Sequence, residues 1–265
     1  MKYTAVSESH ARYLRRVRRD ARVVVLCRIA VLLGFLLLWE LGADLRWFDP
    51  FILSSPSRVV ATIVRLYADG SLWLHVGTTL LETVLGFLLG TILGALIAVL
   101  LWWMPKLNRI LDPYLVVLNA LPKIALGPVL IVWIGAGMAS IVVMGVLVSL
   151  VVTTVTVLNG FLAATDEKQL LMRTLGATKL QIFTKVVLPA GVPDLISALK
   201  ISVGMSWVGV IVGEYLVSKA GLGYLIVYGG QVFKLDLVMA SVTVLCVLAA
   251  LMYYAVAFLE KKVRR

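Results

Sequence analysis

Four ionisable side chains stand inside long apolar stretches of this sequence: Glu82, Lys123, Lys200 and Glu214. A charge at membrane depth is costly, so such a residue either pairs with an opposite charge or contacts a solute that crosses the membrane. Pairing of one of these glutamates with one of these lysines and contact with a solute are both open for this set. These residue types therefore favour the passage of a polar solute through the membrane over the catalysis of a covalent reaction.

Residue patterns for catalysis are missing from the sequence. The only histidines, His10 and His75, lie far apart, and no carboxylate–histidine cluster exists, so neither catalytic nor metal-binding residues are predicted. No G-x-x-x-x-G-K-[ST] loop occurs, and without it the chain cannot hold ATP phosphates in the usual way. We expect the chain to be no enzyme and to carry no cofactor of its own.

The composition identifies the class of protein. Of the 265 residues, 61% are hydrophobic and 15% are charged, and the mean hydropathy is +1.00. A soluble domain carries about 25% charged residues, so we predict a polytopic membrane protein and exclude a nucleic-acid-binding globule despite the net charge of +11. A membrane helix needs about 20 apolar residues. Six stretches qualify, and they predict an all-α fold with spans at about 23–41, 76–101, 113–134, 139–160, 190–214 and 238–259.

The distribution of Lys and Arg predicts the orientation. Eighteen of the 25 fall in residues 1–28, 102–112, 161–188 and 260–265, whereas the other three loops hold five. Basic loops stay on the cytoplasmic side, so both termini are predicted to be cytoplasmic. The predicted organisation is a basic N-terminal segment, 1–22, a single transmembrane domain, 23–260, and a short tail, 261–265. A short helix is also predicted at 54–70, after a Ser-Pro start signal.

Two spans carry polar or helix-breaking residues that could line a path. Pro122 and Pro128, beside Lys123, interrupt the third span, and broken helices in transporters commonly line a cavity. On the fifth span, Ser202, Ser206 and Gly209 recur at helical spacing and lead towards Glu214. This face either lines a translocation path or packs against another helix. In the second span, Gly86, Gly90 and Gly94 predict close helix packing.

The loop at 161–188 has helical patterns of its own. Thr165 or Asp166 can cap a first helix, and Gly176 follows it where the chain must turn with positive φ. Thr178 and Gln181 fit a capping box that starts a second helix, which we expect to end at Pro189. The predicted element is a stiff hairpin of two short helices, with these residues as its candidates for contact with a partner: Leu171, Leu175, Gly176, Ala177, Leu180, Phe183 and Pro189.

Three motifs resemble one family. The stretch R-T-L-G-A followed by V-V-L-P resembles the cytoplasmic coupling loop of ABC importer permeases, although Leu170, Leu171 and Met172 replace the Glu-Ala-Ala triplet of that family. The stretches LPKIALGPVLIVWIGAGMAS and GEYLVSKAGLGYLI are similar to permeases of the nitrate, sulfonate, taurine and bicarbonate group. The resemblance extends from about residue 40 to residue 260.

This resemblance implies a function and partners. It implies a multi-pass permease of the bacterial inner membrane that imports a small anionic or polar solute. The implied partners are a second permease copy in a homodimer, two cytoplasmic ATPase subunits that bind ATP and Mg²⁺, and an external substrate-binding protein. The alternative is a self-sufficient secondary transporter or channel. That class commonly has inverted repeats with matching broken helices, and the sequence has one broken span without a clear second copy.

Overall fold

The computed structural model describes residues 8–164 and 166–263, and within these ranges every regular element is helical. In chain order the helices are α1 (Glu8–Asp44), α2 (Pro50–Leu53), α3 (Pro56–Ala68), α4 (Ser71–Trp103), α5 (Pro105–Ala120), α6 (Gly127–Ile134), α7 (Met138–Leu162), α8 (Asp166–Thr174), α9 (Lys179–Ile182), α10 (Leu188–Val217), α11 (Leu222–Gln231) and α12 (Leu235–Val263). A 3-10 turn, Lys123–Leu126, precedes α6, and a π-helical turn, Phe183–Val187, joins α9 to α10. The predicted all-α fold is confirmed.

Five helices in the described ranges are long and apolar enough to cross a membrane, and a sixth span results if α5 and α6 are counted together. The third predicted span, 113–134, differs most from the structure. Its helix begins earlier, at Pro105, and the chain bends by 88° between Ala120 and Lys123. The bend coincides with Pro122, which cannot donate a backbone hydrogen bond to continue a helix.

The chain divides into two compact units at Thr62. In the first unit, α1 continues from the basic segment into the predicted first span as one helix, while residues 1–7 of that segment lie outside the described residues. The carboxylate of Glu40 accepts hydrogen bonds from the N–H of Ser57, at 2.9 Å, and from its hydroxyl, at 2.6 Å. Because a carboxylate is favourable at a helix N-terminus, Glu40 holds the start of α3 against α1.

The second unit is built around α4, α7 and α10, which pack through small residues. A Cβ on Gly86 of α4 would lie 3.4 Å from the Cα of Gly145 on α7, and a Cβ on Gly209 of α10 would lie 2.8 Å from the same atom. A side chain at Gly209 would push α7 and α10 apart, and one at Gly94 would do the same to α4 and α7, since its Cβ would lie 2.8 Å from Thr153 Cβ. The close packing predicted for the glycine row of α4 is confirmed. The hairpin of α8 and α9 lies at one end of this unit and α11 at the other.

Candidate functional site

The turn of the hairpin has a well-defined conformation. The N–H of Ala177 donates to the carbonyl of Met172 at 2.9 Å, and the N–H of Gly176 donates to that of Arg173 at 3.0 Å. This pair of bonds is the Schellman pattern that closes a helix. Gly176 has φ of +79°, a left-handed conformation that residues with a Cβ rarely adopt. The predicted turn at Gly176 is confirmed.

The second helix of the hairpin begins with the predicted capping box. The N–H of Gln181 donates to Thr178 Oγ1 at 3.3 Å, and the N–H of Thr178 donates to Gln181 Oε1 at 2.8 Å. Two N–H groups at the helix start therefore find their hydrogen-bond acceptors within the same turn of helix. The predicted cap of the first helix by Thr165 or Asp166 concerns side chains outside the described residues.

The inner side of the hairpin packs against the ends of α4 and α7. The ring of Phe183 lies 4.9 Å from that of Trp102 and 5.5 Å from that of Phe161, centroid to centroid. Lys179 Nζ donates to the backbone carbonyl of Trp103 at 2.5 Å and so caps the C-terminus of α4. Apolar burial and a charged hydrogen bond therefore both hold the hairpin on the helix bundle.

The outer side of the hairpin is apolar and exposed. Leu170, Leu171, Leu175 and Leu180 are exposed by 61%, 59%, 73% and 59%. Ala177 is half-buried and packs against the buried cluster beneath the hairpin, which includes Trp102 and Phe161. Phe183 belongs to that cluster and is 9% exposed, so the prediction that it projects towards a partner is wrong. Its ring fills the space between α4 and α7 instead.

Pro189 does not end the second helix of the hairpin. The N–H of Leu188 donates to the carbonyl of Phe183, five residues back, and this wider turn lies immediately before the proline. Since proline has no N–H to donate, a wider turn lets the helix continue past it. The expectation that Pro189 closes the hairpin is wrong, because the helix is continuous from Lys179 to Val217.

The broken third span exposes its prolines. Pro122 lies in the bend between α5 and α6 and Pro128 in the first turn of α6, and both are exposed in the single chain. Lys123 is half-buried, and its Nζ donates to a backbone carbonyl of α5, one turn earlier, at 3.1 Å. The bend therefore presents a cation and helix ends on one surface of the chain.

The polar face predicted on the fifth span lies between helices of this one chain. Ser202 and Ser206 are fully buried, and Ser202 Oγ is 2.5 Å from Thr153 Oγ1 on α7. Gly209 lies at the closest approach of α10 to α7. Of the two alternatives for this face, helix packing describes the placement of these three residues.

The ionisable residues of the spans do not form the glutamate–lysine pairs that the sequence left open. Lys200 Nζ lies 2.5 Å from Glu260 Oε2 on α12. Glu82 and Glu214 are 2% and 1% exposed, and their carboxyl groups contact each other. Within the described residues, neither of these two glutamates pairs with Lys123 or Lys200.

Glu214 belongs to a set of side chains that receives the N-terminus of α11. The acceptors lie on α4 and α10, and the donors are four successive backbone N–H groups: Gly221 donates to His75 Nδ1 (3.0 Å), Leu222 to Thr79 Oγ1 (2.7 Å), and Gly223 and Tyr224 to Glu214 Oε2 (2.6 and 3.4 Å). The first four N–H groups of a helix have no partners within it. We call His75, Thr79 and Glu214 the α11 anchor.

Glycines make this anchor possible. Gly221 has φ of +114°, and a Cβ on it would overlap the carboxylate of Glu214. A Cβ on Gly223 would lie 2.8 Å from Glu214 Oε2. The Gly-Leu-Gly sequence therefore allows the backbone to approach the carboxylate closely. The sequence patterns above did not single out Thr79 or assign a role to His75. The available signal was the spacing of His75, Thr79 and Glu82, which places polar residues on one face of an apolar helix.

Residues 86–265 match the family described as "Binding-protein-dependent transport system inner membrane component". The match covers more than half of the chain. The chain belongs to this family. It is a membrane-spanning ABC importer permease, as the motifs predicted, and as a transport permease it is not an enzyme.

Relatives of this permease match it over most of their length. A probable ABC transporter permease protein of Haemophilus influenzae is 34% identical over 225 residues, which cover 84% of this chain and 91% of the relative. The taurine transport system permease protein TauC of Escherichia coli is 24% identical over 239 residues, 88% of this chain and 87% of the relative. A putative aliphatic sulfonates transport permease protein, SsuC of Bacillus subtilis, is 28% identical over 225 residues, which cover 85% of this chain and 82% of the relative.

A solved structure shares the fold of the permease. Inward-facing MetNI, a methionine ABC transporter, superposes with a TM-score of 0.64 and 23% identity. The similarity covers 73% of this chain and 98% of the MetNI chain. It shows that the helical arrangement is that of a known ABC importer.

Proposed function

We propose that this permease forms, as a homodimer, the translocation path of an ATP-driven importer for a small anionic or polar solute. Two ATPase subunits bind ATP and Mg²⁺ and dock on the hairpin, and an external binding protein delivers the solute. The chain itself supplies no residue to nucleotide or metal. Within the described residues no group of three metal-ligating side chains occurs.

The observation that carries the proposal is the continuity of the hairpin with α10. A movement of separate ATPase subunits can reach the spans only through a stiff element that is fixed to them. The helix from Lys179 to Val217 is such an element, since it begins in the hairpin and crosses the second unit without a break. The burial of Phe183 against Trp102 and Phe161 couples the same element to α4 and α7.

The exposed leucines of the hairpin are suited to docking. Leu171, Leu175 and Leu180 stand on its outer side, where they contribute little to the core of this chain. Apolar side chains exposed together beside a polar rim are typical of protein interaction sites. Gly176 and Ala177 shape the turn that presents them, Phe183 supports it from within, and Pro189 lies where the same helix continues into α10.

We propose that the bend between α5 and α6 lines the path. Lys123 brings a positive charge to the bend, and a cation there favours an anionic solute. Pro122 and Pro128 have no N–H to donate, so they interrupt the backbone hydrogen bonding of this span, and broken helices in transporters commonly line a cavity. Ser202, Ser206, Gly209 and Glu214 would then form the packed wall that keeps the spans in register behind the path.

The names of the relatives support a solute class. TauC is named for taurine and SsuC for aliphatic sulfonates, and both kinds of molecule carry a sulfonate group. A sulfonate is small and negatively charged, which suits the cation at Lys123. The biased distribution of Lys and Arg supports the orientation with both termini and the hairpin in the cytoplasm.

The docking of the ATPase is tested by changing the outer side of the hairpin. In a Leu175→Asp, Leu180→Asp variant we expect the ATPase subunit no longer to co-purify with the permease, because two charges would enter an apolar contact. The matched control is Leu175→Met, Leu180→Met, which keeps the surface apolar and should retain the ATPase. Both residues are exposed, so thermal unfolding of all three proteins should agree. Equal ATPase recovery with both variants would refute the docking site.

A further inference from the structure

A cavity with cationic and aromatic walls lies beneath the hairpin. Its volume is about 370 Å³, and it is bounded by the end of α4, the start of α5 and the inner side of α8 and α9. Its polar and aromatic lining consists of Trp102, Asn108, Gln169, Arg173 and Lys179. No carboxylate lines it among residues 8–164 and 166–263. The cavity therefore has the electrostatic character of a site for an anion.

Of the two cationic side chains that line this cavity, one is available to bind a ligand. Lys179 is held in place by the carbonyl of Trp103 and lies 5.7 Å from the ring centre of Trp102. Arg173 is exposed and has no ion pair in the described part of the chain. Asn108 Oδ1 is buried and accepts no hydrogen bond there, so a ligand that carries a hydroxyl group would satisfy it. The site offers a positive charge for an anionic group and an acceptor for a neighbouring hydroxyl.

The position of the cavity along α4 indicates where its ligand comes from. The helix has 33 residues and so extends over about 50 Å. The hydrocarbon layer of a bilayer is about 30 Å thick, and the whole bilayer with its headgroups about 40–45 Å. Trp102 and Trp103 directly follow the apolar stretch 76–101, which places the end of α4 near the headgroups, where tryptophan is enriched in membrane proteins. At this depth the abundant anions are lipid phosphates.

We propose that this cavity binds the headgroup of an anionic phospholipid, with its phosphate at Arg173. Basic pockets between membrane helices bind such headgroups by the same chemistry. A glycerol headgroup supplies the hydroxyl that Asn108 lacks, and the acyl chains leave between the apolar surfaces of α4 and α5. The proposal requires only that the chain spans a membrane and is independent of the solute and of the ATPase.

The test measures lipid binding to the full-length permease. Purified protein, stripped of lipid in detergent, is titrated with phosphatidylglycerol or phosphatidylcholine, and bound lipid is counted by native mass spectrometry. We expect phosphatidylglycerol to bind more tightly. A surface cation contributes about 1 kcal/mol to attraction of an anionic lipid, so Arg173→Gln should weaken this binding about fivefold. Arg173→Lys keeps the charge and should retain most of it.

The control variant is Lys168→Gln, on the same helix α8. Lys168 lines a different cavity, so the loss of its charge should leave lipid binding unchanged. Equal affinity for the two lipids, equal losses in Arg173→Gln and Lys168→Gln, or inorganic phosphate binding as tightly as the lipid would overturn the proposal. So would an Arg173→Gln variant that binds lipid normally but loses the ATPase, since the cavity would then receive an acidic side chain of that subunit.

Discussion

The α11 anchor leads to a prediction in which two adjacent threonines are compared. Thr79 Oγ1 accepts the N–H of Leu222 at 2.7 Å, and both residues are fully buried. The same start of α11 is held by Glu214, whose Oε2 accepts the N–H groups of Gly223 and Tyr224. Thr79→Val keeps the shape of the side chain and removes the oxygen. The N–H of Leu222 would then be buried without an acceptor.

The magnitude follows from this single lost acceptor. A buried donor without a partner costs about 1–3 kcal/mol, and the free energy that holds the start of α11 in place should fall by that amount. Amide hydrogen exchange reports this free energy locally. We expect exchange over residues 221–231 to be roughly 5- to 150-fold faster in Thr79→Val than in the wild-type protein. Mass spectrometry of peptides from this segment measures the change.

The neighbouring threonine provides the control. Thr78 Oγ1 donates to the carbonyl of Leu74 in its own helix, at 2.9 Å, and contributes nothing to α11. Thr78→Val should leave exchange over residues 221–231 within twofold of the wild type, because substitutions away from such contacts change stability by less than about 0.5 kcal/mol. The reasoning about the anchor is refuted if the two variants exchange at the same rate in this segment.

Three further outcomes test the hairpin and the topology. Gly176→Val should insert into the membrane but lose ATPase co-purification and transport, since a β-branched residue resists the positive φ by about 1 kcal/mol or more; wild-type transport would contradict this. Phe183→Ala should lower the free energy of unfolding by about 3–5 kcal/mol, whereas Leu180→Ala should change it by less than about 0.5 kcal/mol, as thermal unfolding in detergent can show. Reporter enzymes fused after residue 70 and after residue 265 should report opposite sides of the membrane, and the same side for both would refute the proposed orientation.

Features determined by neighbouring residues could be predicted from the sequence. The turn at Gly176 and the capping box of Thr178 and Gln181 depend on bonds between residues at most five positions apart. Apolar length was sufficient for five long helices but not for the bend in the third predicted span, and the glycine row of α4 was sufficient for its close packing. Where the outcome depended on distant residues, the predictions were wrong or incomplete.

Phe183 and His75 illustrate the cause. The pattern of the hairpin shows Phe183 as one more apolar residue, but its burial depends on rings contributed by α4 and α7. Pro189 is an exception, since the helix continues past it through a local π-helical turn that the sequence pattern did not indicate. His75 receives a donor 146 residues away in the chain, so no local spacing could reveal its partner.

The central claim is that this permease moves solute only when a separate ATPase drives it. The most direct measurement is uptake into liposomes that contain the permease and its ATPase subunit, with ATP inside and the binding protein outside. The solute is the one found bound to that purified binding protein. We predict uptake that requires ATP, the ATPase and the binding protein together. Uptake by the permease alone, driven by an ion gradient, would contradict the account and identify a secondary transporter.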